Sequence, residues 1–188
     1  MANFSKGDYL ILQNEINNIP LVMEIAHRKG MTICLNPSPY NEKIKTFNLE
    51  YVDYFLINEI EAASMAGCCT GNVEQVIKEL KFKYPSAKFV ITLGKDGVIY
   101  FDKNIEKRHG TYDVPVVDTT AAGDTFTGYF IASLSKGIAI EEALELASKA
   151  SSLAVSKSGA AVSIPNLKTV LESKMVLQTK SNSNVGVI

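Results

Sequence analysis

The residues best suited to chemistry lie in the run from Asp118 to Phe126, which reads DTTAAGDTF. Small residues at the start of a helix leave backbone N–H groups directed at open space. With the helix dipole, such groups bind anions such as phosphate. Asp124, in the first turn of the apolar helix that follows, places a carboxylate beside that anion. The alternative is that Asp124 and Thr125 only cap the helix.

Three other segments carry polar residues where a strand gives way to a turn or helix. Asn58 and Glu61 have the spacing of a helix cap and a first-turn acid, and taken alone they favour that structural role. The stretch Thr92–Gly97 joins two apolar runs and alone predicts a hairpin turn. Glu15 follows a short apolar run, and its residue type alone predicts solvent exposure.

Composition excludes several classes of protein. The 188 residues are 46% hydrophobic and 21% charged with a net charge of -1, as in ordinary globular chains and unlike nucleic-acid binders. No apolar run reaches membrane-spanning length, and the start resembles no signal peptide, so we expect a cytoplasmic protein. Core filling is expected for Cys34, Cys68 and Cys69, and no role is assigned to His27 and His109.

The elements that must position these residues alternate between strand and helix patterns. Strands are predicted at Tyr9–Gln13, Met31–Leu35, Tyr54–Ile57, Lys88–Leu93, Val98–Phe101 and, as an edge strand, Glu106–Val114. Helices are predicted at Ile19–Arg28, from Asn58 through Ala66, at Asn72–Lys83, Gly123–Ser135 and Ile140–Ser156, and after the loop Lys157–Ile164. The first helix has Leu21, Val22, Ile25 and Ala26 at helical spacing. This alternation predicts a mostly parallel sheet with helices on both faces.

The run from Asp118 to Phe126 resembles the signature of the ribokinase and phosphofructokinase-B family of sugar and nucleoside kinases. Four further elements resemble the family in the same order: LNPSP at Leu35–Pro39, NEIE at Asn58–Glu61, TLGKDG at Thr92–Gly97, and KSGA at Lys157–Ala160 with Ser163. Together they cover about residues 8 to 173. The pairs Ala121-Ala122 and Asn36-Pro37 look closest to the ribokinase branch.

The resemblance implies an α/β architecture, the three-layer ribokinase-like fold of Rossmann type, with a mostly parallel sheet that is incomplete at its N-terminal side. Residues 1–175 would be the C-terminal ATP-binding and catalytic part of such a domain, and 176–188 a flexible tail. The implied activity is ATP-dependent phosphorylation of a sugar hydroxyl, with ATP, Mg²⁺ and a monovalent cation, K⁺, as cofactors. Ribose is the first expectation for the sugar.

The resemblance also assigns roles to individual residues. Asp124 matches the catalytic base that takes the proton of the sugar hydroxyl and so contacts substrate. An anion hole is implied for the backbone N–H groups of Ala122, Gly123 and Asp124. Nucleotide, phosphate and magnesium contacts, the last through water, are implied for Asn58, Glu61, Thr92, Gly94, Gly97 and Ser148. The cation site is implied for Asp118, Thr120, Ala154, Lys157, Gly159 and Ser163, mostly through carbonyls. Glu15 matches a strand-end acid that contacts the sugar. Ala121 stands where many relatives have Gly, so the loop is expected to avoid positive φ there.

The resemblance begins inside the usual family chain. Members carry roughly another hundred or more residues before the strand that Tyr9–Gln13 resembles. The lid, a Gly-Gly element and most sugar contacts have no counterpart here. A sheet edge near Tyr9–Gln13 would then be exposed, which predicts self-association or a partner N-terminal half. The alternative function is a non-catalytic nucleotide-binding fragment that needs such a half. A Rossmann dinucleotide binder is excluded, because neither G-x-G-x-x-G nor a Walker lysine motif is present.

Overall fold

The computed structural model describes residues 3–178, which fall into two compact units. The first unit comprises the described residues up to Leu93 together with Ile99–Lys107. The second comprises Gly94–Val98 and the described residues from Arg108 onward.

One six-stranded sheet has the order β1-β2-β3-β4-β5-β6. The elements up to β6 are β1 Tyr9–Gln13, α1 Ile19–Arg28, β2 Thr32–Asn36, β3 Tyr54–Asn58, α2 Glu59–Ala66, α3 Val73–Lys83, β4 Lys88–Thr92, β5 Val98–Phe101 and β6 Glu106–His109, with short 3-10 turns at Glu42–Thr46, Leu49–Tyr51 and Gly94–Asp96. Strands β1 to β4 pair in parallel. Because only residues 93–97 connect β4 to β5, these two neighbours run antiparallel. The predicted α/β class with a mostly parallel sheet is confirmed.

The core of the first unit is built on strands that are apolar on both faces. Such strands are typical of parallel sheets covered by helices. Phe55, Phe89 and Phe101 stack across β3, β4 and β5 at ring-centroid distances of 4.9 and 5.1 Å, and all three are fully buried. Offset or stacked aromatic pairs add to the free energy gained from burial alone. These stacked rings hold β3, β4 and β5 together, and thereby support the loops at the ends of these strands.

Helix α1 is confirmed in its bounds but not in its buried face. Ile19, Met23 and Ala26 are buried, whereas Leu21 is 53% exposed. Of the four residues at helical spacing, Ala26 is buried, Val22 and Ile25 are half-buried and Leu21 is exposed, so α1 is rotated to bring Met23 inward. In α3, Val76, Ile77 and Leu80 are buried.

Strand β1 forms one end of the sheet order. Ile11 in β1 is 47% exposed. An end strand of this kind leaves backbone groups unpaired along its outer side. Self-association at this edge stays a prediction.

The second unit contains β7 Thr111–Tyr112, α4 Ala122–Ser135, α5 Ile140–Val155, α6 Leu167–Glu172, β8 Leu177–Gln178 and a 3-10 turn at Ala161–Ser163. Strands β7 and β8 pair antiparallel. Helices α4 and α5 pack together, and α5 buries a row of alanines at helical spacing, namely Ala143, Ala147, Ala150 and Ala154. Small side chains let helix backbones approach closely. The Tyr129 hydroxyl donates to the Pro165 carbonyl at 2.7 Å, tying α4 to the segment before α6.

The prediction of one edge strand over Glu106–Val114 is wrong. The run divides at Gly110 into β6, at the end of the large sheet, and β7, which pairs with β8. The division follows from pairing with residues far away in sequence, which no local pattern reveals. Of the predicted tail 176–188, Leu177–Gln178 form β8, and the residues from 179 onward lie outside the described part.

The cysteines are all free, and only Cys34 is buried. Cys68 is half-buried and Cys69 is exposed, so core filling is wrong for Cys69. Between residues 3 and 178, no helix combines the length and apolar character that crossing a membrane requires.

Candidate active site

The first turn of α4 follows an N-cap residue without a polar side chain, and its first amide, that of Ala122, donates to the Thr119 carbonyl at 3.2 Å. The N-cap position is Ala121, and no side chain accepts a hydrogen bond there. Asp124 lies exposed in this first turn. Neither Asp124 nor Thr125 occupies the N-cap position, and a catalytic rather than structural role for Asp124 stays a prediction. Ala121 has φ -95°, so the expectation of an ordinary negative φ at this position is confirmed. An uncapped helix N-terminus beside a carboxylate suits an anion that reacts with a neighbouring hydroxyl.

Asp118 holds the loop that leads into α4. One carboxylate oxygen accepts from the Thr120 amide at 2.9 Å and from the Thr120 hydroxyl at 2.6 Å, and the other accepts from the Gly159 amide at 2.9 Å. These bonds, the Thr120 hydroxyl first, lower the pKa of Asp118 to about 2. The amides of Val117 and Asp118 both donate to the Val155 carbonyl at the end of α5. Three of the predicted cation-site residues, Asp118, Thr120 and Gly159, are thus brought together.

The other predicted cation-site residues follow α5. The Lys157 amide donates to the Ala154 carbonyl at 3.1 Å, and the Lys157 side chain is exposed. Ser163 is buried, and its hydroxyl donates to the Ala160 carbonyl at 2.7 Å. Within residues 3–178, no three His, Cys, Asp or Glu side chains gather as a metal site. The Asp118 carboxylate and the backbone carbonyls of the segment after α5 are oxygen donors of the kind that a hard cation prefers, and the hydrogen bonds of the carboxylate come from N–H and O–H donors.

Two further polar residues belong to the same helix start: Thr125, considered above as a cap, and Ser151, which the sequence analysis did not single out. The Ser151 hydroxyl on α5 donates to the Ala122 carbonyl at 3.0 Å and so supports the first turn of α4. Thr125 is 2% exposed, and its hydroxyl has no hydrogen-bond partner among the described residues. Ser151 becomes recognisable only once α4 and α5 are packed, because 29 residues separate it from Ala122.

In the first unit, polar residues stand at the carboxyl ends of the parallel strands. Gln13 pairs with Asn36 at the ends of β1 and β2, and Asn58 pairs with Thr92 at the ends of β3 and β4. In open α/β sheets, ligands bind in the crevice beyond these ends. The structure therefore brings two predicted nucleotide-site residues, Asn58 and Thr92, side by side.

Asn58 and Glu61 form a capping box at the start of α2. The Asn58 side-chain oxygen accepts from the amides of Ile60 and Glu61, each at 2.9 Å, and Glu61 Oε2 accepts from the Asn58 amide at 3.0 Å. Glu61 is 7% exposed. The hydrogen bonds of the capping box involve neither Glu61 Oε1 nor the side-chain NH₂ of Asn58.

The turn of residues 94–97 needs glycine at both ends. Gly94 and Gly97 have φ +55° and +93°, a left-handed backbone that favours glycine. At Gly97 a Cβ would also collide with the carbonyl oxygen of His109. The Thr111 hydroxyl donates to the Lys95 carbonyl at 3.1 Å, on the same side of the turn.

Two predicted site residues remain, Glu15 and Ser148. Glu15 is exposed two residues after β1, and Ser148 is buried within α5. Next to Glu15, Asn14 is 7% exposed and donates to the Pro39 carbonyl at 2.8 Å. The side-chain oxygen of Asn14 has no hydrogen-bond partner among residues 3–178. Asn14 rather than Glu15 is the ordered polar group at this strand end, and the sequence singled out only the acid.

Comparison with known proteins agrees with this arrangement. The profile of the pfkB family carbohydrate kinases matches residues 6–167. The ribokinase of Staphylococcus aureus is 38% identical over 171 residues, which cover 87% of this chain and 55% of that protein. The crystal structure of ribokinase from Thermotoga maritima shares 33% identity and a TM-score of 0.73, covering 87% of this chain and 55% of that one.

A second solved structure, Arabidopsis thaliana ribokinase complexed with ribose and ATP, shares 28% identity at a TM-score of 0.77. That similarity covers 87% of this chain and 54% of the Arabidopsis chain. The chain thus spans about half the length of the relatives it matches. Because the family profile covers most of its residues, including the Asp118 loop and the start of α4, the chain belongs to the pfkB family of carbohydrate kinases.

Proposed function

We propose that this chain carries the ATP side of a phosphotransferase that transfers a phosphoryl group from ATP to a sugar hydroxyl. The observation that carries the proposal is the start of α4, where the N-cap residue Ala121 has no capping side chain and Gly123 and Asp124 lie exposed in the first turn. Similarity to ribokinases at 28–38% identity supports the same reaction class. Ribose is the proposed sugar, since the Arabidopsis relative was solved with ribose and ATP.

In this reaction the oxygen of the sugar hydroxyl attacks the γ-phosphorus of ATP, and Asp124 accepts the proton of that hydroxyl. The bond to the β–γ bridging oxygen breaks, and ADP leaves with the electron pair. The amides of Ala122, Gly123 and Asp124 hold the negative charge of the transferring group. A loose phosphoryl-transfer transition state needs chiefly positioning and charge stabilisation, which a helix N-terminus provides.

The remaining site residues have supporting roles in the proposal. Asn58 and Glu61 would hold Mg²⁺ through water, and the ion would neutralise phosphate charge. The turn from Thr92 to Gly97 and the residue Ser148 would line the nucleotide. Asp118, with the carbonyls after α5, would hold a K⁺ ion that fixes the loop leading into α4. Glu15 would contact the sugar.

A second candidate is a chain that binds nucleotide without turnover until an N-terminal half is supplied. It is favoured by the sugar side of the site, where Glu15 is the one predicted contact besides Asp124 and is exposed. We therefore expect the chain alone to bind ATP weakly and to phosphorylate ribose slowly or not at all. Robust ATP- and ribose-dependent turnover by the chain alone would exclude this second candidate.

The reaction is tested in a fusion that adds the N-terminal segment of a longer relative. The residues of Staphylococcus aureus ribokinase that precede the region similar to this chain are fused to its N-terminus. The release of ADP is then measured in the presence of ATP and ribose. Asp124→Asn should lower turnover about 10²- to 10⁴-fold, the usual contribution of a general base. Glu142→Gln, which changes another exposed first-turn acid, on α5, should leave turnover unchanged. Equal activity of the Asp124→Asn fusion and the unsubstituted fusion contradicts the proposal.

A further inference from the structure

The residues after α6 return to pair with β7. This C-terminal strap (residues 173–178) lies beyond residue 167, where the family profile ends. In the β7–β8 ladder, Thr111 is opposite Gln178, and Tyr112 is opposite Leu177. Two further bonds extend the pairing past the ladder. The Asp113 amide donates to the Val176 carbonyl at 3.0 Å, and the Gln178 side-chain NH₂ donates to the Asp113 carboxylate at 3.2 Å.

Gly110 makes the closest approach to the strap. A Cβ at this position would collide with the carbonyl oxygen of Gln178, and Leu177 Cδ1 would lie only 3.5 Å away. The φ of Gly110 is outside the left-handed region, so its backbone conformation accepts any residue. The need for glycine at position 110 therefore comes from the strap alone.

The other side of the same segment contacts the turn of residues 94–97. A Cβ at Gly97 would collide with the His109 carbonyl and lie 3.0 Å from the Gly110 Cα. The Thr111 hydroxyl donates to the Lys95 carbonyl at 3.1 Å. All of these residues belong to the second compact unit. Residues 109–111 are thus held between the strap on one side and the turn on the other.

We propose that the C-terminal strap positions the nucleotide-lining turn. Pairing of β8 with β7 fixes residues 109–111, and these fix Gly94–Gly97 through the close backbone contact at Gly97 and the Thr111 hydrogen bond. Releasing the strap frees the turn and weakens nucleotide binding. The part of this inference that concerns nucleotide rests on the proposed function, whereas the mechanical part does not.

The mechanical part is tested by hydrogen exchange on four chains: the unsubstituted chain, Gly110→Ala, a chain ending at Lys174, and the combination. Gly110→Ala should speed exchange of the amides in residues 94–97, as should the truncation. In the truncated chain Gly110→Ala should add nothing, because the carbonyl it would displace is gone. Gly128→Ala is the matched control, since a Cβ there meets no atom within 4 Å.

The functional part is tested by titrating the same chains with MgADP. Gly110→Ala and the truncation should each weaken binding about fivefold, the factor that one net hydrogen bond represents. Their combination should be no weaker than the truncation.

An effect of Gly110→Ala that persists in the truncated chain overturns the inference. So does faster exchange confined to residues 108–113, or unchanged MgADP affinity in Gly110→Ala. If the unsubstituted chain binds no MgADP, the proposed function fails, and exchange in residues 94–97 still decides whether the strap positions the turn.

Discussion

Asn58 caps helix α2 in the structure, and in the proposed function it also lies beside the phosphates of the nucleotide. Substitutions at this position can separate these two roles. Asn58→Ala removes the side-chain oxygen that accepts from two amides, and it keeps the backbone amide that donates to Glu61. Loss of such a cap costs about 1–2 kcal/mol in the free energy of unfolding. Asn58→Asp keeps a capping oxygen and adds a charge that the helix N-terminus favours, so its stability should stay within about 0.5 kcal/mol.

Nucleotide affinity should respond in the opposite order. If a phosphate lies beside this cap, the added carboxylate of Asn58→Asp repels it. At a separation of roughly 5 Å the repulsion is about 1–3 kcal/mol, which corresponds to roughly 5- to 100-fold weaker binding. ADP is titrated without Mg²⁺, so that no cation offsets the new charge, and stability is taken from urea unfolding.

Asn72 supplies the matched control, because it caps α3 in the same unit through one bond to the Gln75 amide at 3.1 Å. Asn72→Ala should cost about 1 kcal/mol in the free energy of unfolding and leave ADP affinity unchanged. If Asn58→Asp binds ADP as tightly as the unsubstituted chain does, Asn58 is a cap alone and its phosphate-side role is refuted.

The remaining predictions concern the α4 loop and the nucleotide turn. Hydrogen bonds lower the pKa of Asp118 from 3.8 to about 2, so the stability it contributes is present above 3.8 and lost as pH falls through about 2. The midpoint temperature of thermal unfolding should therefore be lower for Asp118→Asn than for the unsubstituted chain at neutral pH, and the two should agree below pH about 2. A difference in midpoint temperature that does not change with pH would contradict this. Gly97→Ala should destabilise the chain by about 1–3 kcal/mol from its left-handed backbone alone. Gly128→Ala, within α4, should instead be neutral or stabilising by up to about 1 kcal/mol, and equal urea midpoints for these two variants would refute the turn geometry.

Elements whose patterns are local were predictable from the sequence. The strand Tyr9–Gln13 and the helix Ile19–Arg28 have the predicted bounds, since turn residues punctuate both ends of each. The start of α4 was also predictable, because small residues followed by an apolar run leave few other conformations. The buried face of α1 was not predictable, since Leu21 and Met23 are equally apolar and only packing against the sheet decides between them.

The features that the sequence missed depend on contacts between distant residues. Gly110 interrupts an apparently continuous strand because β8, more than 60 residues later, pairs with β7. Ser151 supports the Ala122 carbonyl only through the packing of α5 on α4. Asn14 is buried because the loop after β2 folds over it, and its hydrogen bond to Pro39 spans 25 residues. The sequence analysis therefore gave none of these three residues a role.

The central claim is that the start of α4 binds the phosphates of a nucleotide in this chain. Amide chemical shifts of the ¹⁵N-labelled chain during titration with MgADP test it most directly. The account predicts that the largest saturable shifts fall on Ala122, Gly123 and Asp124, with further shifts in residues 94–97. The amide of Thr169, in the first turn of the short helix α6, should stay unchanged. Saturable shifts that spare the first turn of α4 would contradict the claim.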